Sequence, residues 1–292
     1  MISQSSLQRC GRPIVVASHM RSGTHLMIDL LRRQFPGCQS WKWPGEPNDM
    51  LYLPLDVMTY PVAAWSATRV LRVLRRSKRP VLKTHWTLPD LGNLRDHQPD
   101  LADWIDSEAT FLHVVRNPFN VLASQWAWDC SIRGIPPGRT IPDLNWIEVA
   151  ISSWTHHYRI WSQRENVHLF RYEDVTADPP GTVERLSALV GERPLLKHPL
   201  LPEKLRGLWH SRWNRLTGVR PASTEILTPG GAPAASDVFT AEAIALVNRI
   251  AGECLDALSY RFPTADGQAD GLNGANPPPA PAARVDSSSS AR

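Results

Sequence analysis

The stretch PIVVASHMRSGTHLMIDLLRRQF, residues 13–35, constrains this chain more than any other. PIVVAS (13–18) is an apolar run of buried-strand type that stops at a polar turn carrying Arg21, Ser22, Gly23 and Thr24. The turn leads straight into a helical pattern over 24–35. There Leu26–Leu30 and Met27–Leu31 are spaced i, i+4, and Pro36-Gly37 ends the run. A strand feeding a helix through such a turn aims the unpaired amide N–H groups of the helix start at one point, which suits an anion. Gly23 lets the backbone come close, Arg21 supplies charge, and the two hydroxyls can donate. The turn is not G-x-x-x-x-G-K-[ST], so the ATP/GTP loop with its lysine and metal-bound hydroxyl is absent.

Three more segments read as strands: PVLKTHW (80–86), TFLHVVRNP (110–118) and VHLFRYEDV (167–175). Helices are predicted over 66–79, from the 118 turn to about 129, over 146–166, over 179–191 and over 240–262. The fourth of these carries proline at its start and glycine at its end. Strands alternating with helices predict an α/β fold whose parallel sheet is covered on both faces. Residues 38–66 read as irregular and aromatic, and 192–239 as a Pro/Gly-punctuated loop. Residues 1–12 read as a loose leader, 13–262 as one domain, and 263–292 as a disordered Pro/Ala/Ser-rich tail.

Composition narrows the function classes. A net charge of +4 over 292 residues suggests neither a nucleic-acid coat nor a polybasic membrane anchor. Cys10, Cys38, Cys130 and Cys254 form no C-x-x-C pair, so neither a zinc site nor a disulfide framework is expected. The N-terminus has no apolar core of signal-peptide length, and no segment approaches the ~18 apolar residues of a membrane span. Together these predict a cytoplasmic protein with reduced thiols. Only five of its 32 cationic residues are lysines, among them Lys83.

Lys83 is where chemistry first becomes legible. In VLKTHW, Lys83 and His85 lie two apart at a strand end and leave the same face. A cation beside a proton acceptor suits transfer of an anionic group onto a hydroxyl, and carboxyl strand ends are where α/β ligands bind. In VVRNPFNVLASQWAW, Arg116 follows a strand and Ser124 lies eight residues on, about two helical turns away, so both could reach a second phosphate. In FRYEDV, Tyr172 leaves a strand end and Glu173-Asp174 begin the exit turn.

With these four motifs in this order, the chain resembles the sulfotransferases that use 3′-phosphoadenosine 5′-phosphosulfate (PAPS). The resemblance covers residues 13–191 and, more weakly, the last helix after VFTAE (238–242). It implies a three-layer sandwich with a central parallel sheet, P-loop NTPase-like. The family's K-S-G-T loop, which grips the donor's 5′-phosphosulfate, falls on Arg21, Ser22, Gly23 and Thr24, with arginine in the lysine's place. His25 closes that loop and is counted with the donor-binding residues, although no family role attaches to it. The family's K-T-H is intact at Lys83, Thr84 and His85, implying His85 as catalytic base and Lys83, with Arg21, as the cations of the transfer. Its R-x7-S clamp on the 3′-phosphate falls on Arg116 and Ser124, and its Y-E-D places Tyr172 near the adenine. The late loop that completes the 3′-phosphate site is not legible. Its nearest stretch is 212–221, with Arg215, Gly218 and Arg220 as candidates.

The expected reaction is in-line sulfuryl transfer to a hydroxyl, less readily an amine, of a small-molecule, lipid or glycan acceptor, with no metal. The rival enzyme is a nucleotide-dependent kinase, which would need the missing loop lysine; the rival binder is a non-catalytic scaffold, which would not need His85. His19 and His25 read as structural or solvent-facing, His113 as a satisfied core histidine, and His156-His157 as packing residues. Glu173 and Asp174 read as capping or ion-pairing groups. Trp41, Trp43, Trp86, Trp126 and Trp128 lie in segments next to the donor motifs, and some of them are expected to wall an apolar acceptor pocket.

Overall fold

The computed structural model describes residues 2–41, 46, 50–57, 66–136, 140–196 and 233–263. Five parallel strands form one sheet: β1 (Ile14–Ser18), β2 (Leu53–Pro54), β3 (Val81–Thr84), β4 (Thr110–Val115) and β5 (Val167–Arg171). Their order across the sheet is β2-β3-β1-β4-β5. β1 is therefore central, pairing with β3 from Ile14↔Val81 to Ala17↔Thr84 and with β4 from Ile14↔Thr110 to Ser18↔Val114. The carboxyl ends of β1, β3, β4 and β5 come level on one edge. The chain moves to one side of β1 and then crosses to the other, so the loop after β1 sits where the order reverses, the usual ligand crevice of an open parallel sheet.

Side chains alternate across the sheet as a pleat requires. Val15, Ala17, Leu82 and Phe111 pack on one face against α1 (Gln4–Leu7), α3 (Ala67–Leu74), α4 (Leu88–His97) and α5 (Pro99–Glu108). Ile14, Val16, Val81, Leu112 and Val114 pack on the other face against α2 (Thr24–Gln34) and α9 (Pro179–Val190). A further cluster joins α6 (Pro118–Ile132), α7 (Leu144–Gln163) and α10 (Ala241–Ala257) around Phe119, Ile151, Trp154 and Val247. These are the layers of the expected α/β sandwich.

Four segments differ from the sequence reading. Residues 2–10 are not a loose leader: α1 and a 3-10 turn bury Ile2, Leu7 and Cys10, and the Gln4 N–H donates to Asp100. Leu53–Pro54 is an edge strand inside a stretch read as irregular. α4 and α5 fill the interval between β3 and β4, where no helix was expected. The strand read over 167–175 ends at Arg171, and α8 (Tyr172–Ala177) replaces its last residues and the exit turn. The tail from 264 onward and the stretch 212–221 lie outside the described residues. Among the described residues, no helix is long and apolar enough to cross a membrane, and all four cysteines are buried thiols.

Candidate active site

Several helix starts carry a side-chain cap; α2, like α1, α5 and α8, does not. Asn117 caps α6, Asp143 caps α7, Asp178 caps α9 and Thr240 caps α10, each accepting from a backbone N–H of its first turn. No side chain caps α2, whose Ncap is Gly23 in the left-handed region at φ 99°. The amides of its first turn are thus left pointing into the crevice. A Cβ on residue 23 would run into the Tyr172 ring, so glycine is required here twice over, by conformation and by contact. The Ser22 hydroxyl is fully buried and finds no hydrogen-bond partner among the described residues. Thr24 shares a hydrogen bond with Ser18 at the end of β1, which fastens the loop to the sheet.

Arg21 is also left-handed, at φ 67°, a conformation that costs a non-glycine residue ~1–2 kcal/mol. Two contacts hold it. Arg116 Nη1 donates to the Arg21 carbonyl at 3.2 Å, and Arg21 Nε donates to Ser124 Oγ at 3.1 Å. The Arg21 guanidinium also lies over the Trp128 ring, 5.3 Å from its centroid. Burial and repulsion from Arg116 both lower its pKa. Arg116 in turn stacks on Tyr172 at 4.5 Å, and its Nε is buried with no partner among the described residues. Two guanidiniums therefore converge beside one buried serine, an arrangement an anion would relieve.

His85 leaves β3 on the other side of the same loop. Its Nδ1 lies 2.8 Å from the Ser18 carbonyl oxygen. A carbonyl can only accept, so Nδ1 carries the proton and Nε2 keeps the lone pair. Burial, then the positive charge of Lys83, pushes the imidazole pKa down to about 3. The ring is thus neutral at ordinary pH and set as a proton acceptor through Nε2. Lys83 is itself lowered by burial and raised by Asp56. His25 is not solvent-facing: its ring meets Tyr52 edge-on at 5.6 Å, and burial followed by Lys83 and Arg21 takes its pKa to about 3. It belongs to the crevice wall.

Glu173 has a supporting part. Its Oε1 accepts the Asn117 N–H at 2.9 Å and its Oε2 accepts the Tyr260 hydroxyl at 2.7 Å, tying the exit of β5 to the start of α6 and to the segment after α10. That link sets Arg116 and Tyr172 side by side. The structure thus brings Arg21, Ser22, Gly23, Thr24, His25, Lys83, His85, Arg116, Ser124 and Tyr172 to one edge of the sheet, although they span 151 positions from first to last.

The aromatic reading separates. Trp126 packs edge-on against Trp146 at 5.2 Å, Trp41 lies under Arg76 at 4.9 Å, and Trp128 lies under Arg21. Of the five tryptophans expected near the acceptor, Trp86 directly follows His85 and Trp43 is outside the described residues. His113 is buried as expected but is not satisfied, since neither ring nitrogen has a partner among the described residues. It meets His157 at 5.3 Å, and His157 meets His19 at 6.0 Å, while His156 is exposed. His19 is structural: its Nδ1–H donates to the Met20 carbonyl, and its Nε2 faces the Ser153 hydroxyl at 3.4 Å. Among the described residues, no group of three or more His, Cys, Asp or Glu has a geometry that could hold a metal ion. Sequence reasoning missed Asp56, whose only signal was an acidic residue in an aromatic loop.

The family described as "Sulfotransferase domain" matches residues 12–212. Sulfotransferase 2A1 of Rattus norvegicus is 33% identical over 94 residues, which cover 30% of this chain and 33% of that relative. The match thus spans about a third of the curated relative. The crystal structure of mouse sulfotransferase SULT7A1 complexed with PAP aligns with a TM-score of 0.50 at 17% identity, covering 87% of this chain and 89% of that one. That last likeness is one of fold.

Proposed function

The chain belongs to the sulfotransferase domain family, and on that premise we propose that it transfers a sulfuryl group from PAPS to a hydroxyl, less readily an amine, of a small-molecule, lipid or glycan acceptor. The donor fits the residues present. The uncapped start of α2 and the Ser22 hydroxyl would hold the 5′-phosphosulfate, Arg116 and Ser124 the 3′-phosphate, and Tyr172 the adenine side. The donor supplies an activated S–O bond to phosphate. In the transfer this bond breaks as the acceptor oxygen bonds to sulfur, leaving 3′,5′-ADP.

His85 takes the acceptor proton at Nε2, and Lys83 and Arg21 offset the charge that develops on the transferring group and the departing phosphate. The observation that carries this reading is the Ser18 carbonyl 2.8 Å from His85 Nδ1, which presents a neutral, correctly protonated imidazole at the mouth of the 19–24 loop. Trp86 is the aromatic residue proposed to wall the acceptor site; a Trp86→Ala variant with unaltered acceptor KM would remove it. We further take residues 13–262, together with the packed 2–10 segment, as the catalytic domain and the protein as cytoplasmic.

The test is a thermal-shift comparison followed by turnover. Stabilisation by 3′,5′-ADP and not by ATP with Mg²⁺ supports the proposed donor site, and the reverse preference supports a kinase. Transfer of label from PAPS to any member of a phenol, steroid, lipid and glycan panel then establishes the activity. Binding without transfer across that panel would favour a scaffold.

A further inference from the structure

Asp56 belongs to none of the motifs that outline the site. It lies in the 3-10 turn Leu55–Val57, directly after edge strand β2, whose register Pro54↔Lys83 sets this turn beside the end of β3. One oxygen, Oδ1, accepts both the Thr84 hydroxyl at 2.9 Å and the His85 backbone N–H at 2.8 Å. Thr84 Oγ1 accepts in turn from the Trp86 N–H at 3.0 Å. One carboxylate thus organises the backbone of three successive residues at the strand exit.

Its charge matters as well as its shape. Burial raises the Asp56 pKa, and the His85 N–H, the Thr84 hydroxyl, Lys83 and the Trp86 N–H oppose that. Lys83 is drawn toward neutrality by burial, and Asp56 opposes it. Among the described residues, the other titratable groups that act on or with Lys83 are His25 on α2 and His85 on its own strand exit, both held neutral by burial, with Arg21 adding positive charge beside His25. Negative charge at Asp56 is what the ammonium has to set against this surrounding.

We propose that Asp56 is a positioning residue for the transfer step, its carboxylate fixing the backbone that carries His85 and supplying the negative charge that balances Lys83. This rests on the sulfuryl-transfer reading above. Asparagine can accept the same two hydrogen bonds without the charge, so Asp56→Asn separates charge from shape, and Thr84→Val removes a donor while the charge stays.

The experiment measures the pH profile of kcat for PAPS and an acceptor the wild type turns over, with 3′,5′-ADP affinity and Tm alongside. Asp56→Asn is expected to keep 3′,5′-ADP affinity, to lower kcat roughly 10- to 100-fold, and to move the alkaline limb down by about 1 pH unit or more. Thr84→Val is expected to leave that limb in place. An unmoved limb in Asp56→Asn overturns the proposal. Should that variant fail to fold, Asp56→Glu decides: a wild-type limb supports the charge role, and a displaced one overturns it. Direct NMR titration of Lys83 in wild type and Asp56→Asn reads the same coupling without turnover. A wild type with no transfer activity therefore sinks the functional reading, while an unchanged Lys83 titration sinks this one.

Discussion

Arg21 Nε donates to Ser124 Oγ at 3.1 Å across 103 positions of sequence. This joins the loop after β1 to the second turn of α6, so the two expected phosphate sites share a residue. The family's lysine in this place is a compact point charge, whereas arginine presents a fork that can serve two partners. Arg21→Lys should therefore weaken 3′,5′-ADP binding roughly tenfold, the loss of about one charge-assisted hydrogen bond, and weaken 5′-AMP binding less. Calorimetric titration with both nucleotides checks it; equal losses would place Arg21 at the 5′ side only.

The tautomer of His85 makes a separate prediction. Because burial and Lys83 depress its pKa to about 3, the His85 ring resonances of the ligand-free protein should show no titration between pH 5 and 8. His85→Asn should lower kcat about a hundredfold or more while 3′,5′-ADP binds as before. Near-normal turnover would remove His85 from the base role.

Gly23 and Tyr172 form a pair that can be taken apart. Gly23→Ala places a Cβ against the Tyr172 ring and forces alanine into a left-handed conformation, at a cost of ~1–2 kcal/mol for the backbone alone. Adding Tyr172→Ala should recover the steric part but not the backbone part. Chemical denaturation of the two single variants and the double variant should thus give a non-additive cycle.

Acid should destabilise the fold through its buried histidines. Burial lowers His19 to about 4, His113 to about 3 and His157 to about 2. A folded-state pKa below the unfolded value means that the unfolded chain binds the proton first. Stability is then complete above the unfolded pKa near 6.5 and declines as pH falls below it toward the folded values. Each group contributes a loss of about 1 kcal/mol by pH 5.5. His113→Leu, which also removes two buried ring nitrogens without partners among the described residues, should shrink the stability difference between pH 7 and pH 5.5 by about that amount. Urea unfolding at both pH values measures it.

The strands that were legible are those whose burial writes itself into a local run. β1, β3 and β4 are largely buried, so apolar stretches bounded by turns reveal them; edge strand β5, where only Phe170 is buried, was marked by its short apolar run and the turn after it. β2 escaped because it is two residues long and contains proline, which ordinarily argues against a strand. α4 escaped because Pro89 and Gly92 interrupt it, and α8 because Tyr172–Ala177 is too short to show a helical period. At the site, the motif residues in the described segments lie at the carboxyl edge of the sheet, while the 212–221 candidates fall outside the described residues. The residues that support them did not show: Asp56 and Ser18 act through a carboxylate and a main-chain carbonyl, and neither leaves a spacing to find.

What the chain's letters determined on their own was the parallel α/β plan, the strand-to-helix turn at 21–24 and the identity of the charged groups that follow each strand. These depend on contacts within a few residues, such as a helix start, a pleat or a turn. What only the tertiary structure decided was how those groups are used. Ser18 and His85 are 67 positions apart, yet the former's carbonyl selects the latter's tautomer, and Arg21 turns to Ser124 because β1 ends and α6 begins at the same edge. Those relations follow from strand order and register, which juxtapose residues whose separation along the chain carries no trace of their contact.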